Sequence, residues 1–347
     1  MPRLRRVDCS GPGIERRRRG RGFEYFADGE RIDDPEVLDR IRELVIPPAW
    51  ENVWICPYPF GHIQAVGTDA AGRRQYLYHE RWRERRDQEK FDEMLRFARA
   101  LPRMRKVTAR HLREKEITRE RVLAGAVRLL DRGFFRIGTE GYAEQNQTYG
   151  LATMQKRHVA LEEDGVLRFD YAAKGGKRRI QSIVDPEVYE LVDALKRRRG
   201  GSQLLAYRNG RAWVDVRSDE INEFIKEISR EDFSAKDFRT WSATVIAAVA
   251  LAVSGEVAET KTARKRAVTR AIQEVAHYLG NTPAVCRASY IDPRVFDRYH
   301  DGYTIGGALE RLGEGANLGQ PSFQGAVEEA VLDLLEGERT EMIEKVA

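Results

Sequence analysis

The spacing of apolar residues changes character about a quarter of the way along the chain. Residues 23–80 carry short runs rich in Trp, Tyr, Phe and β-branched side chains, cut by Pro and Gly. They predict strands at Val53-Trp54-Ile55 and at His62-Ile-Gln-Ala-Val66. Asp69-Ala-Ala-Gly72 then predicts a turn into Arg73-Arg-Gln-Tyr-Leu-Tyr78. From Glu80 the period is helical: residues 81–100 set long charged side chains around Phe91, Leu95 and Phe97, and residues 118–130 place Val122, Ala126 and Leu129 on one face. Alternation returns at Val159 and Leu161, turns at Asp164-Gly165, and resumes at Leu167, Phe169 and Tyr171, which predicts a β-hairpin. A third strand, 180–184, follows Lys174-Gly-Gly-Lys177. Asp185-Pro186 caps a helix that stops at Gly200-Gly201. Further helices are predicted at 222–228, 238–253, 262–279 and 323–344.

The pattern predicts an α+β protein, with a small β-rich domain at 23–88 and a larger, mostly helical domain at 89–347 that contains the hairpin as a three-stranded sheet. Length agrees, since 347 residues exceed the ~250 to 300 at which one core stops growing. The charge is regional. Residues 1–22 carry eight Arg against Asp8 and Glu15, and with Gly and Pro interspersed they predict a flexible basic arm. From Gly307 onward nine acids face three bases, so the last helix is acidic and is expected to be peripheral. Residues 101–132 hold ten bases and four acids, a density suited to phosphate contacts. Three cysteines without a C-x-x-C pair argue against both a disulfide framework and a zinc site, and fit a reducing compartment. The longest apolar run, 243–253, falls short of the ~20 residues of a membrane span.

Several common engines are missing from the sequence: no phosphate-binding G-x-x-x-x-G-K-[ST] loop, no G-x-G-x-x-G after a strand, no H-E-x-x-H and no D-x-D acidic cluster of the kind that holds magnesium. What remains is a set of cations beside predicted element ends. They are Arg136 in Phe134-Phe-Arg-Ile-Gly138, Lys174 in the hairpin turn, and Arg239 in Lys236-Asp-Phe-Arg-Thr240. Taken singly, each reads as a capping, ion-pair or solvated residue. A further cluster changes that. A helix ends at His277-Tyr-Leu-Gly280, Asn281 sits at the junction before Pro283, and Tyr290 follows in Arg287-Ala-Ser-Tyr290.

Together these motifs resemble a known family, the compact type IB DNA topoisomerases of poxviruses and bacteria. The resemblance runs from about residue 46 to 301. It rests on Ile46-Pro-Pro-Ala-Trp50, Gly72-Arg-Arg-Gln-Tyr-Leu-Tyr78, Arg136-Ile-Gly138 with Glu144-Gln-Asn-Gln-Thr-Tyr-Gly150, the Lys174 turn, Lys236-Asp-Phe-Arg-Thr240, and Leu279-Gly-Asn281 ahead of Tyr290. It implies a catalytic core like that of the tyrosine recombinases in the larger domain. Tyr290 would attack a DNA phosphodiester, leaving a 3′-phosphotyrosyl link and a free 5′-hydroxyl. Arg136, Arg239 and Asn281 would stabilise the transition state, and Lys174 would protonate the leaving oxygen. Arg74, Gln75, Tyr76, Tyr78, Tyr142 and Lys236 would contact DNA. The partner would be double-stranded DNA, clamped by a monomer without metal, ATP or membrane, in the nucleoid-associated cytoplasm.

The residue types fit that chemistry on physical grounds. A free tyrosine has a pKa near 10, so only about one in a thousand is ionised at neutral pH, and nearby cations must favour the phenolate. Two guanidiniums offer planar donor forks to the non-bridging oxygens that magnesium serves elsewhere. Three departures stand out. Asn281 occupies a position where poxviral and nuclear members usually have His; Thr139 and Gly141 replace lysines of the poxviral pattern; the hairpin is one residue longer. Tyrosine recombinases share the layout but favour His-x-x-Arg where this chain has Lys236-Asp-Phe-Arg239. A non-enzymatic DNA-clamping protein is the alternative of a different class.

Overall fold

The computed structural model describes residues 3–255, 260–315 and 325–345. The chain divides into two compact units, Met1–Asp92 and Glu93–Ala347. The first is built on an antiparallel sheet of β1 (Ile14–Arg19), β2 (Gly22–Ala27), β3 (Glu30–Arg31), β4 (Glu51–Ile55), β5 (Ile63–Thr68) and β6 (Arg74–Tyr78), in the order β3-β2-β1-β4-β5-β6. Helix α1 (Pro35–Glu43) is capped by Asp34, whose side chain accepts from the Glu36 amide, with proline in the first turn. Its buried Ile41 packs with Ile14, Val53, Ile55 and Ala65 to form the core of this unit.

The arginine run is a strand, not a flexible arm. Arg16–Arg19 pair with Gly22–Tyr25 of β2. The reason is visible in the side chains: the Arg16 and Arg17 guanidiniums lie 4.1 and 4.3 Å from the centroids of the Phe23 and Phe26 rings. Arg16 also donates to the Pro47 carbonyl at 3.1 Å and the Trp50 carbonyl at 2.6 Å. Long aliphatic stems and stacked planar heads let arginine fill a strand next to aromatic neighbours.

The boundary between the units falls inside helix α2 (Glu80–Leu112), four residues beyond the expected 88. This helix runs through Pro102, where the sequence pattern had ended it near residue 100. Leu101 and Met104 beside the proline are buried, so packing outweighs the lost backbone bond.

The second unit is mainly helical, with α3 (Arg119–Gly133) and α4 (Glu140–Asn146) leading into a three-stranded sheet of β7 (Val159–Leu161), β8 (Val166–Ala172) and β9 (Arg178–Val184). β9 is an edge strand whose register pairs Ala172 with Arg178 and Val166 with Val184. Then follow α5 (Pro186–Arg197), the hairpin β10 (Ala206–Asn209) and β11 (Ala212–Asp215), α6 (Ser218–Ser229), α7 (Ala235–Gly255), α8 (Lys261–Leu279), α9 (Pro283–Ser289) and α10 (Pro293–His300). The chain closes with β12 (Tyr303–Thr304), α11 (Gly306–Gly315), α12 (Ala326–Glu336) and β13 (Glu344–Lys345), which pairs with β12. Among the described residues no helix is long and apolar enough to cross a membrane.

Two further expectations are corrected. The last helix was predicted over 323–344; residue 323 lies outside the described residues, and α12 ends at Glu336 against a left-handed Gly337. Nor is α12 peripheral. Val327, Ala330, Val331, Leu334 and Leu335 are buried. Glu328 accepts from the Trp241 indole and from Arg105, each at 2.9 Å, while Arg105 also donates to both oxygens of Asp131 at 2.9 Å. The basic stretch 101–132 is accordingly committed in part to the fold rather than held ready for phosphates. Arg105 serves this network, the buried Arg121 donates to the Leu112 and Lys115 carbonyls at 3.2 and 2.8 Å, and Arg128 and Arg132 pair with Asp185. Cys9, Cys56 and Cys286 are free thiols.

Candidate active site

Two helix ends meet at one corner. α3 stops at Gly133, and Phe134 caps it with a left-handed backbone, φ 53°, which turns the chain to bring in Arg136. That conformation costs a non-glycine residue roughly 1–2 kcal/mol. It is held by Arg239 of α7, which donates to the Phe134 carbonyl, and by the Phe134 ring lying edge-on to Tyr278 at 5.8 Å. α8 stops at Leu279 against Gly280, whose φ is 62°; a Cβ at Gly280 would come within 2.6 Å of the Arg179 Nη1 atom. Glycine is required there by conformation and by space.

The turn after Gly280 presents Asn281, and Thr282 caps α9 through the Val285 amide with Pro283 in its first turn. α9 delivers the chain to Tyr290, whose amide donates to the Cys286 carbonyl at 3.0 Å. The Tyr290 carbonyl accepts from the buried Thr244 hydroxyl of α7 at 3.4 Å, and the same hydroxyl accepts from the Asp292 amide at 3.2 Å.

The side chains then converge. The Asn281 side-chain oxygen accepts from Arg136 and, at 3.1 Å, from Arg239. Arg136 also donates to the Gly280 carbonyl at 2.9 Å, and Arg239 to the Leu279 carbonyl at 3.0 Å. Both guanidiniums thus satisfy orphan carbonyls at the negative end of α8. The Arg239 guanidinium carbon is 5.3 Å from the centroid of the Tyr290 ring. Arg239 is 4% exposed, and its Nε is buried without a partner among the described residues. Burial lowers this guanidinium to about 10, against the opposing pull of Tyr290. For Tyr290 burial acts to raise the phenol, but the Arg239 charge, polar contacts from Arg239 and Asn281, and the Arg136 charge outweigh it. The net result is a phenol below its ordinary value.

Lys174 sits on the β8–β9 turn, exposed, with its ammonium 5.9 Å from the centroid of the Tyr142 ring on α4. It lines an open cleft of about 440 Å³ together with Arg136, Lys177, Arg179, His277 and Gly280. The structure therefore groups Arg136, Arg239, Asn281 and Tyr290, with Lys174 on the cleft that Arg136 also lines. Lys236, exposed at the start of α7, is not brought into the Asn281 network.

In the first unit Arg74, Tyr76 and Tyr78 share the exposed face of β6. The two tyrosine rings stack at 6.0 Å with 17° between planes, and Arg74 lies 5.6 Å from the Tyr76 centroid while donating to the Cys9 sulfur. Gln75 does not join them. Strand alternation puts it on the other face with Leu77, and its amide donates to Asp69 at 2.8 Å.

Sequence reasoning missed Arg179, Gln181 and Thr244. The signal was present for the first two: on β9 the half-buried positions are Arg179 and Gln181, in line with the buried Ile183, so polar residues occupy inward-facing sites. Among the described residues no group of three or more His, Cys, Asp or Glu side chains could hold a metal ion.

Residues 79–304 match the family model of the eukaryotic DNA topoisomerase I catalytic core, and residues 22–69 match that of the bacterial DNA topoisomerase IB N-terminal domain. The chain is 29% identical over 298 residues to DNA topoisomerase 1B of Acanthamoeba polyphaga mimivirus, covering 83% of this chain and 88% of the viral one. It is 20% identical over 277 residues to DNA topoisomerase 1B of Vaccinia virus (strain Copenhagen), covering 78% of this chain and 84% of that protein. With a catalytic-core match that spans most of the chain, the protein belongs to the type IB DNA topoisomerases and relaxes DNA by the type IB mechanism.

Proposed function

We propose that Tyr290 is the nucleophile and that Arg136, Arg239 and Asn281 form its electrostatic surroundings. The phenol oxygen forms a bond to the scissile phosphorus as the bond to the 5′-oxygen breaks, giving a 3′-phosphotyrosyl intermediate. The phenol proton passes to water, which the lowered Tyr290 pKa favours. Arg136 and Arg239 carry the charge that builds on the non-bridging oxygens; among the described residues Nε and Nη1 of Arg136 have no protein partner and stay available for substrate. Lys174 supplies the proton to the leaving 5′-oxygen and takes it back when that hydroxyl re-attacks. Bond energy is kept in the covalent link, so religation needs no external energy source.

The observation that carries this reading is the Asn281 amide. Its oxygen is shared by Arg136 and Arg239, and the Arg239 guanidinium carbon stands 5.3 Å from the Tyr290 ring centroid, so one side chain holds together the cations that face the nucleophile. Type IB topoisomerases are generally independent of metal and ATP, and we propose the same for this chain. Arg74, Tyr76, Tyr78 and Tyr142 are proposed to contact DNA, with Gln75 and Lys236 as weaker candidates. A recombinase-like arrangement of the core, action as a monomer and residence in the cytoplasm belong to the same proposal. The test is Tyr290→Phe. It is expected to bind duplex DNA like the parent and to form no covalent adduct that survives denaturation. An adduct of parental yield in this variant would refute the assignment.

A further inference from the structure

The corner that holds Arg136 and Asn281 is tied from outside as well as from within. Arg239 bridges it on the inside, reaching Phe134 at the end of α3 and Leu279 at the end of α8. On β9, Gln181 donates to the Gly133 carbonyl at 2.9 Å and accepts from the Arg179 Nε at 2.6 Å. Arg179 in turn donates through Nη2 to the Tyr278 carbonyl. Gly133–Gln181–Arg179–Tyr278 is thus a second, continuous bridge between the same two helix ends. One end precedes Arg136 by three residues and the other precedes Asn281 by three.

Three properties mark this bridge as more than surface decoration. Arg179 is half-buried, and burial is the largest influence lowering its guanidinium, with Arg136 adding to the effect, so a cation is held in an unfavourable place near a second one. Gly280 leaves room for it, since a Cβ there would collide with Arg179 Nη1. And both helix ends present orphan carbonyls, which a guanidinium and an amide are suited to satisfy. We infer that Arg179 and Gln181 are positioning residues: they fix the separation of the α3 and α8 ends, and thereby the register of the Asn281 oxygen on Arg136 and Arg239. Resting on the active-site reading above, this adds a brace on the edge strand that acts through Asn281 rather than on DNA.

The test is a double-mutant cycle on single-turnover cleavage of a suicide duplex at saturating enzyme. Arg179→Ala and Gln181→Ala are each expected to slow cleavage by roughly 10-fold, within the ~10²-fold that a displacement of about 1 Å can cost. Duplex affinity and melting temperature are expected to stay near the parent's. Gln181→Glu keeps an acceptor for Arg179 but cannot donate to Gly133, so it is expected to behave like Gln181→Ala. In an Asn281→Ala background the Arg179→Ala effect should largely vanish, because the group being positioned is gone. Full additivity of the two substitutions would overturn the inference while leaving the active-site reading intact. Parental cleavage by Asn281→Ala would instead overturn the reading of Asn281 and this inference with it.

Discussion

Arg239 donates to the Asn281 side-chain oxygen at 3.1 Å while its guanidinium carbon stands 5.3 Å from the Tyr290 ring centroid, so one buried cation both orients the amide and biases the phenol. Removing that charge should raise the Tyr290 pKa, because burial would then act with less opposition. In an ultraviolet difference titration of parent against Tyr290→Phe, the parent is expected to show a phenolate titrating below the ordinary tyrosine range. Arg239→Gln should shift it upward, and should slow cleavage by roughly 10²- to 10³-fold, the usual effect of losing a preorganised donor at a developing oxyanion. An unmoved titration would dissociate Arg239 from the nucleophile.

The same two groups set a pH dependence. Cleavage is expected to rise with pH as Tyr290 ionises and to fall once Arg239 loses its proton near pH 10. Stability moves with a definite sign. Both groups have folded values below their unfolded ones, so the native state binds fewer protons than the unfolded state, and their contribution grows as pH rises through the alkaline window. The Tyr290 contribution is lost as pH falls through its folded pKa. Comparing denaturant midpoints of parent and Tyr290→Phe from neutral pH upward checks this; a parent that loses relative stability over that window would contradict it.

Lys174 is placed on the cleft but touches the nucleophile through no bond, so its role must be read from chemistry. Lys174→Ala is expected to slow cleavage of an ordinary phosphodiester by roughly 10²- to 10⁴-fold, the span of general-acid contributions. On a substrate whose 5′-bridging oxygen is replaced by sulfur, the defect should mostly disappear, because a thiolate leaves without protonation. Equal slowing on both substrates would remove Lys174 from proton transfer.

Glu328 ties α12 to the body of the second unit through Arg105 and Trp241. Burial acts to raise its carboxyl, but Arg105 and Trp241 together pull it below the ordinary value. Glu328→Gln is expected to destabilise the protein by about 3 kcal/mol, the low end for breaking a buried pair because Asp131 still faces Arg105. The difference should be full above Glu328's ordinary carboxylate range and shrink as pH falls through its depressed folded value. A constant difference down to strongly acid pH would show that the carboxylate charge is not the source.

How much of this was legible beforehand follows from where the information lies. Gly280, Asn281 and Pro283 announce their helix stop locally, and the alternation of Leu167, Phe169 and Tyr171 announces β8, so these elements could be read directly. The Arg16–Arg19 strand could not, because its partners Phe23 and Phe26 give the arginine stems a surface that composition does not reveal. The helical pattern of residues 81–100 does not show that α2 continues through Pro102 to Leu112, because long-range burial of Leu101 and Met104, not local propensity, decides that segment. Arg136, Arg239 and Asn281 stand out beside predicted element ends and take on a proposed role only through the family resemblance; Arg179 and Gln181 lie outside those motifs, and their alternation with Ile183 gains meaning only once β9 is paired with β8.

The most direct measurement is the identity of the linked residue. A suicide duplex is cleaved, the covalent complex is denatured and digested, and the nucleotide-bearing peptide is sequenced by mass spectrometry. The nucleotide is expected on Tyr290 through a 3′-phosphodiester. Recovery on another tyrosine, such as Tyr278, which is 43% exposed on the same cleft, would contradict the assignment of the nucleophile and the electrostatic argument built around it.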